Sequence, residues 1–167
     1  VFGDSRSRQG GSTITQQYVK SVYLSSERTF TRKLKEAVLA IKLERTFDKR
    51  EILTRYLNEV YFGRGAYGVE AASRAYFGLG VKDLTLAQAA YLAGLIRAPE
   101  RADATRDPDE ATRRRRTVLN AMVEQRYISS GDAKAADALA WNQTDAAADG
   151  TAQQVTILPR PDERSDF

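Results

Sequence analysis

The 167-residue chain is 42% hydrophobic and 29% charged, which suits one core-forming domain, or one domain with a tail, and not a disordered segment. It has no cysteine, which excludes disulfides and thiolate metal sites, and no histidine, which leaves proton transfer to carboxylates, lysines or tyrosines. A net charge of +4 points to polyanionic partners: nucleic acid, an anionic membrane surface or a phosphorylated substrate.

No apolar run reaches the roughly 20 residues of a membrane span, and no signal peptide is visible. The opening VFGDSRSRQGG and the ending PRPDERSDF both read as cuts in a longer protein. In chain order, Thr13 and Gln16 form a capping box, predicting a helix through Gln17, Val19, Val22 and Leu24 that stops near Ser25 and Ser26. From Phe30, the residues Leu34, Ala37, Val38, Ile41 and Phe47 recur at helical spacing. Asp48 with Glu51 caps REILTRYLNEVYF, in which Ile52, Leu53, Tyr56, Leu57 and Val60 share a face. The glycine-rich FGRGAYG (62–68) breaks this pattern ahead of VEAASRAYFGLG, a short helix of small residues ended by Gly78. Thr85 with Gln88 caps LAQAAYLAGLI, which is apolar enough to be buried nearly all round. Asp107-Pro108-Asp109-Glu110 sets a cap, an N1 proline and an N3 acid in order and starts a long basic helix toward Tyr127. SSGDAKAADALAW reads as a last, weaker helix; after Gly150 the chain turns extended, and LPRPDERSDF reads as linker. The fold class is mainly α.

On the helix bearing TFTRKLKE, Arg32 and Lys33 stand four and three residues before Glu36, so one face carries two cations and a carboxylate. Lys20 and Arg28 flank the turn before it. Antiparallel packing of the two helices would line one cleft with Lys20, Arg28, Lys33 and Glu36. The commoner reading of such a triplet is a solvated face with ordinary salt bridges. Gly10-Gly11 before a capped helix can offer amides to an anion. The stretch lacks the lysine of a phosphate-binding loop and the glycine spacing of a dinucleotide fingerprint, so a plain helix N-terminus is the simpler reading. RRRR (113–116) points in four directions around a helix and has no interleaved aromatic, so a solvated face is expected rather than nucleic-acid contact. Tyr56, Tyr61, Tyr67 and Tyr76 are expected in the core rather than along a sugar site.

The string QGGSTITQQYVK is more specific than its composition. It resembles the second signature of the peptidoglycan glycosyltransferases of family 51, found in class A penicillin-binding proteins and monofunctional transglycosylases. RTFTRKLKEAVLAIKLE is similar to that family's RKxxE signature and KREILTRYLNEVYFG to its KxxILxxYLN signature. AYGVEAASRAYFG and LTLAQAAYLAGLIRAP resemble those that follow, and the likeness runs over residues 9–127. One departure is IRAPERADATRDP, where the family often has a QAPSxYxP-like string.

The resemblance implies a lysozyme-like α fold with a membrane-facing lobe. The implied reaction polymerises lipid II: the 4-hydroxyl of an acceptor attacks the anomeric carbon of a lipid-linked glycan, inverts it to a β-1,4 link and releases undecaprenyl pyrophosphate. By the same likeness, Glu36 matches the second essential carboxylate and Lys33 a lysine on the pyrophosphate, with Lys20 and Arg28 as further donor-site cations. Ser12, Thr13, Gln16 and Gln17 match the hydroxyls and amides that bind the sugars and phosphate; Asn58 and Tyr61 match a more structural signature. The family's base is a glutamate in an EDxxFxxHxG-type first signature, which this sequence does not contain, so the fragment alone is expected to be inactive. No cofactor is fixed by the residues; a divalent cation such as Mg2+ at the donor pyrophosphate, with Glu36 as ligand, is the one candidate.

Residues 1–150 are thus expected to form the glycosyltransferase domain and 151–167 a linker toward a transpeptidase domain. The expected setting is the extracytoplasmic face of the cell membrane. Partners would be lipid II, the lipid-linked glycan, the anionic membrane surface and cell-wall synthesis proteins, with no nucleic acid. A glycan-cleaving lysozyme-like enzyme is the alternative, though it needs an acid suited to cleavage, and the cations around Glu36 argue for a pyrophosphate donor. A non-catalytic module docking on the membrane or a cell-wall partner is the third reading.

Overall fold

The computed structural model describes residues 13–23, 30–143, 154–158 and 160, in two compact units, 1–59 and 60–167. The expected helix end at Leu24, Ser25 and Ser26 lies outside the described residues.

The first unit contains α1 (Ile14–Tyr23), α2 (Phe30–Thr46) and α3 (Lys49–Glu59). Thr13 caps α1, its hydroxyl accepting from the Gln16 amide at 3.2 Å, and Asp48 caps α3 through the Glu51 amide at 2.8 Å. α1 packs on both α2 and α3 through a face of Thr15, Tyr18 and Val19. Ile52 and Tyr56 of α3 are buried, and the Arg55 guanidinium lies 4.3 Å over the Phe47 ring. Leu53, expected on the same face, is 41% exposed. α2 is turned inside out: it buries Glu36 and Ala40 while Leu34, Val38 and Ile41 stay exposed. The helical spacing of those three aliphatics marks a solvent-facing stripe and not a core face.

The second unit begins with the glycine loop, closed by a bridge between Tyr61 and Tyr67 and by the Phe62 amide donating to Ala66. Gly63 and Arg64 have φ of +94° and +54°, a conformation that favours glycine at the first and is unusual for arginine at the second. α4 (Val69–Phe77) follows and ends on Gly78 in the left-handed region, as expected. After a 3-10 turn (Val81–Asp83), Thr85 and Gln88 complete a reciprocal capping box on α5 (Leu86–Leu95). α5 buries Ala87, Gln88, Ala90, Tyr91, Leu92 and Leu95, as its composition predicts. α6 (Pro108–Glu124) starts on the Asp107 cap with Pro108 at its first position, and α7 (Ser130–Ala138) on a second capping box from Ser129 and Asp132.

Tyr91 is at the centre of this core, with ring centroids 5.7, 6.1 and 4.8 Å from Tyr76, Phe77 and Trp141. Its hydroxyl donates to the Ala102 carbonyl and accepts from the Ala104 amide, so burial leaves no bare polar atom there. β1 (Ala140–Gln143) and β2 (Gln154–Ile157) pair in parallel, Trp141 opposite Val155. Within the stretch expected to serve as a linker, Val155, Ile157, Leu158 and Arg160 are buried in this unit, and the Leu158 amide donates to the Tyr76 carbonyl at 2.7 Å.

Two further expectations are corrected. Tyr67 is 67% exposed instead of buried: it lies at the loop tip and stacks on Tyr61 at 4.9 Å. Arg115, expected on a solvated face, is fully buried: it faces the end of α7 and donates to the carbonyls of Asp137 and Leu139 at 2.7 and 2.8 Å, 4.7 Å from the Trp141 ring centroid. Arg113 and Arg116 lie on the expected solvated face, paired with Glu110 and Asp137, while Arg114 is largely buried at 17% side-chain exposure and also pairs with Glu110. Among the described residues no helix is long and apolar enough to cross a membrane.

Candidate functional site

The carboxylate of Glu36 is the chemically distinctive group of the first unit. It sits midway along α2 at 2% exposure, and the Lys33 ammonium one helical turn earlier reaches it at 2.5 Å. An unpaired carboxylate at this depth would cost several kcal/mol in lost hydration. The pair offsets part of that cost, and the Lys33 side chain is itself 53% exposed. The three-residue spacing in RKLKE sets the two side chains one turn apart on the same face.

On α1, the buried face of Thr15, Tyr18 and Val19 turns Gln17 and Lys20 to the exposed side, with Gln16 half-buried. Lys20 lies in the last turn, where a cation complements the helix dipole. The Tyr56 hydroxyl donates to Gln17 Oε1 at 2.8 Å and so fixes this amide from α3. Burial pushes the Tyr56 phenol up from its ordinary value, so it stays protonated and keeps donating. Thr13 has two roles: it caps α1, and with Ile14, Thr15, Phe47, Ile52 and Leu53 it lines an apolar-walled cavity of about 860 Å3.

Among the expected site residues, the structure joins Lys33 to Glu36 and Thr13 to Gln16, while Gln17 is joined to Tyr56, a partner the spacing did not suggest. The cavity lining includes Thr13 and not Lys20, Lys33 or Glu36. Ser12 and Arg28 lie outside the described residues. Asn58 is exposed on α3. Tyr61 is structural in its contacts, donating to Glu100 at 2.7 Å and accepting from the Gly65 amide at 3.4 Å. Among the described residues no three His, Cys, Asp or Glu side chains cluster, and Glu36 is paired with Lys33.

The sequence reading missed a charged cluster in the second unit. Arg64, in the glycine loop, forks onto Asp103 with both side chains fully buried and stacks 4.2 Å from the Tyr76 ring centroid. Arg160 adds contacts to Asp103 at 3.1 Å and Glu100 at 3.2 Å. Burial alone would raise the Asp103 carboxyl; the Arg64 bonds and charge and the Thr105 donors outweigh it and hold the group below the usual carboxylate range. A lone cation between glycines was the available signal in FGRGAYG.

A family model described as transglycosylase matches residues 2–123. The chain is 54% identical over 121 residues to penicillin-binding protein 1A of Aquifex aeolicus, a match covering 72% of the chain and 17% of that protein. It is 47% identical over 125 residues to penicillin-binding protein 1F of Bacillus subtilis, covering 75% and 18%. A crystal structure of penicillin-binding protein 1A from Haemophilus influenzae superposes with a TM-score of 0.51 at 29% identity, covering 74% of this chain and 15% of that one. The chain therefore spans less than a fifth of the length of these relatives.

Proposed function

Since the chain belongs to the transglycosylase family, we propose that it forms part of a peptidoglycan glycosyltransferase, which joins lipid II into β-1,4-linked glycan strands and releases undecaprenyl pyrophosphate. The observation that carries this reading is the buried Glu36 carboxylate holding the Lys33 ammonium at 2.5 Å within the RKLKE signature. In the proposed step the acceptor's 4-hydroxyl oxygen bonds to the anomeric carbon from the face opposite the leaving group. The anomeric carbon–oxygen bond breaks, and its electron pair departs on the pyrophosphate. The hydroxyl proton passes to a base other than the residues named here.

Charge grows on the pyrophosphate as that bond breaks, so fixed cations stabilise the transition state more than the ground state. Lys33 is the first of these, with Glu36 fixing its position; Lys20 and Arg28 are the others. Ser12, Thr13, Gln16 and Gln17 hydrogen-bond the donor sugars and phosphate, with Gln17 steadied by Tyr56. Asn58 and Tyr61 have structural rather than chemical roles. A divalent cation such as Mg2+, if used, would enter with the substrate's phosphates, and no step above runs through it.

The exposed stripe of Leu34, Val38 and Ile41 on α2, flanked by Lys35 and Lys42, supports a membrane-facing surface where a lipid-linked substrate is presented on the extracytoplasmic face. Cell-wall synthesis proteins are the partners that setting implies. The test uses the full-length protein. Glu36→Gln should lower lipid II polymerisation by about 100-fold or more, the scale of losing one aligned charged group, with little change in melting temperature. Activity near wild type would make Glu36 a purely structural acid and remove the reading of the site.

A further inference from the structure

The second unit has a groove of about 590 Å3 along the contact of α5 with α6, lined by Gly94, Arg97, Arg101, Glu110, Arg113 and Arg114 among others. Gly94 lets α5 approach α6 closely: a Cβ there would lie 3.1 Å from Arg114 Cβ and 3.2 Å from its carbonyl carbon, so α6 would have to give by a few tenths of an ångström. Glu110 is bound on one oxygen by Arg114 Nε at 2.6 Å and on the other by Arg113, and these two contacts hold its carboxyl below the usual range. The groove thus sets four guanidinium groups against one carboxylate, and that carboxylate is bound by two of them, Arg113 and Arg114. Arg97 and Arg101 are exposed, and neither has an acidic partner among the described residues.

A concave surface with unbalanced positive charge attracts an anion. Guanidinium groups bind carboxylates and phosphates alike, through their planar fork and weak hydration. The groove's own Glu110 shows a carboxylate seated between two such groups. A lipid surface fits less well, because none of the large exposed apolar side chains lines the groove to insert into a membrane. A nucleic-acid strand fits less well too, because no aromatic lines it for base stacking.

We propose that this groove binds an acidic peptide segment of a partner protein, with Arg97 and Arg101 receiving its carboxylates beside the Glu110–Arg113–Arg114 cluster. None of these residues has a part in glycan transfer as described above, so the site stands independently of that chemistry. The probe is fluorescein-labelled hexaglutamate, titrated into the full-length protein at low salt and followed by anisotropy. Arg97→Ala/Arg101→Ala should raise the Kd by about tenfold with an unchanged melting temperature, the effect of losing two modest charge-assisted contacts. Lys82→Ala/Lys134→Ala, which removes equal charge from exposed positions elsewhere in the unit, should change it by less than about twofold. Equal losses in the two double variants would mean diffuse attraction and overturn the proposal. It is also overturned if the arginine variant loses affinity only for phosphatidylglycerol vesicles or a single-stranded oligonucleotide. Arg97→Lys/Arg101→Lys keeps the charge and loses the fork: weaker binding supports the site, and wild-type affinity overturns it, even if the alanine variant folds poorly.

Discussion

Arg64 holds Asp103 through two 2.7 Å hydrogen bonds, Nε to Oδ2 and Nη2 to Oδ1, and spends its remaining nitrogen on the carbonyls of Leu158 at 2.6 Å and Ala75 at 3.3 Å. The guanidinium is therefore satisfied on every side at full burial, with Arg160 as a second cation on the same carboxylate. Such a pair adds little over an apolar replacement of both partners, yet removing one partner strands a buried charge. Asp103→Asn should accordingly lower unfolding free energy by about 3 kcal/mol, measured by urea denaturation at neutral pH.

The same carboxylate gives a pH dependence of known sign. The Asp103 pKa is depressed in the folded state, so its stabilisation is complete above the unfolded value of about 3.9 and disappears as pH falls through the lower folded value. Urea midpoints taken from about pH 5 down to about pH 2.5 should fall less steeply in Asp103→Asn than in wild type. Parallel slopes would show that other carboxylates carry the acid sensitivity.

Gly63 and Gly65 both have positive φ, but only the first is crowded. A Cβ at Gly63 would lie 2.5 Å from the Tyr76 hydroxyl, which donates to the Phe62 carbonyl at 2.8 Å, while a Cβ at Gly65 meets nothing within 4 Å. Gly65→Ala should cost about 1 kcal/mol, the backbone penalty alone. Gly63→Ala should cost roughly twice that or more, since it also displaces a buried hydrogen bond. Thermal melts of the two variants side by side make the comparison.

Arg115→Ala should behave as a core mutation, losing about 3 kcal/mol, because it empties a buried site beneath Trp141 and frees two carbonyl acceptors. Arg113→Ala, on the exposed side of the same run, should stay within about 0.5 kcal/mol of wild type. Arg115→Met should lose less than Arg115→Ala, since both remove the guanidinium but methionine refills part of the volume it leaves.

Lys33→Ala should weaken binding of a phosphoglycolipid donor mimic by about tenfold, while Lys82→Ala, an exposed lysine of the second unit, leaves it within about twofold. Arg115 cannot serve as the comparison charge, since its loss acts through the fold. Isothermal titration with both variants decides between a site and diffuse attraction.

Features legible in the sequence were those set by neighbours a few residues apart. The Thr85–Gln88 box, the Asp107 cap with Pro108, the Asp48–Glu51 cap and the Gly78 stop each need only local geometry. Lys33 and Glu36 were legible as a pair by the same rule, but the depth of Glu36 was not. That depth depends on α2 presenting its aliphatic stripe outward, against the usual polarity of a helix. Arg64 and Asp103 are 39 residues apart, and nothing in either segment names the other. The one buried arginine of four was equally hidden, because the choice is made by where α7 ends over α6. The pairing of β1 with β2 is non-local in the same way, with Ala140 finding Gln154.

The clamp around Asp103 also has a mechanical meaning. A pull applied to the backbone at Arg160 is not carried by the short parallel ladder alone. It passes through Arg160 to Asp103 and Glu100, and through the Leu158 carbonyl to Arg64. The glycine loop is therefore linked to a pull at Arg160 through Arg64, and through Glu100 to Tyr61.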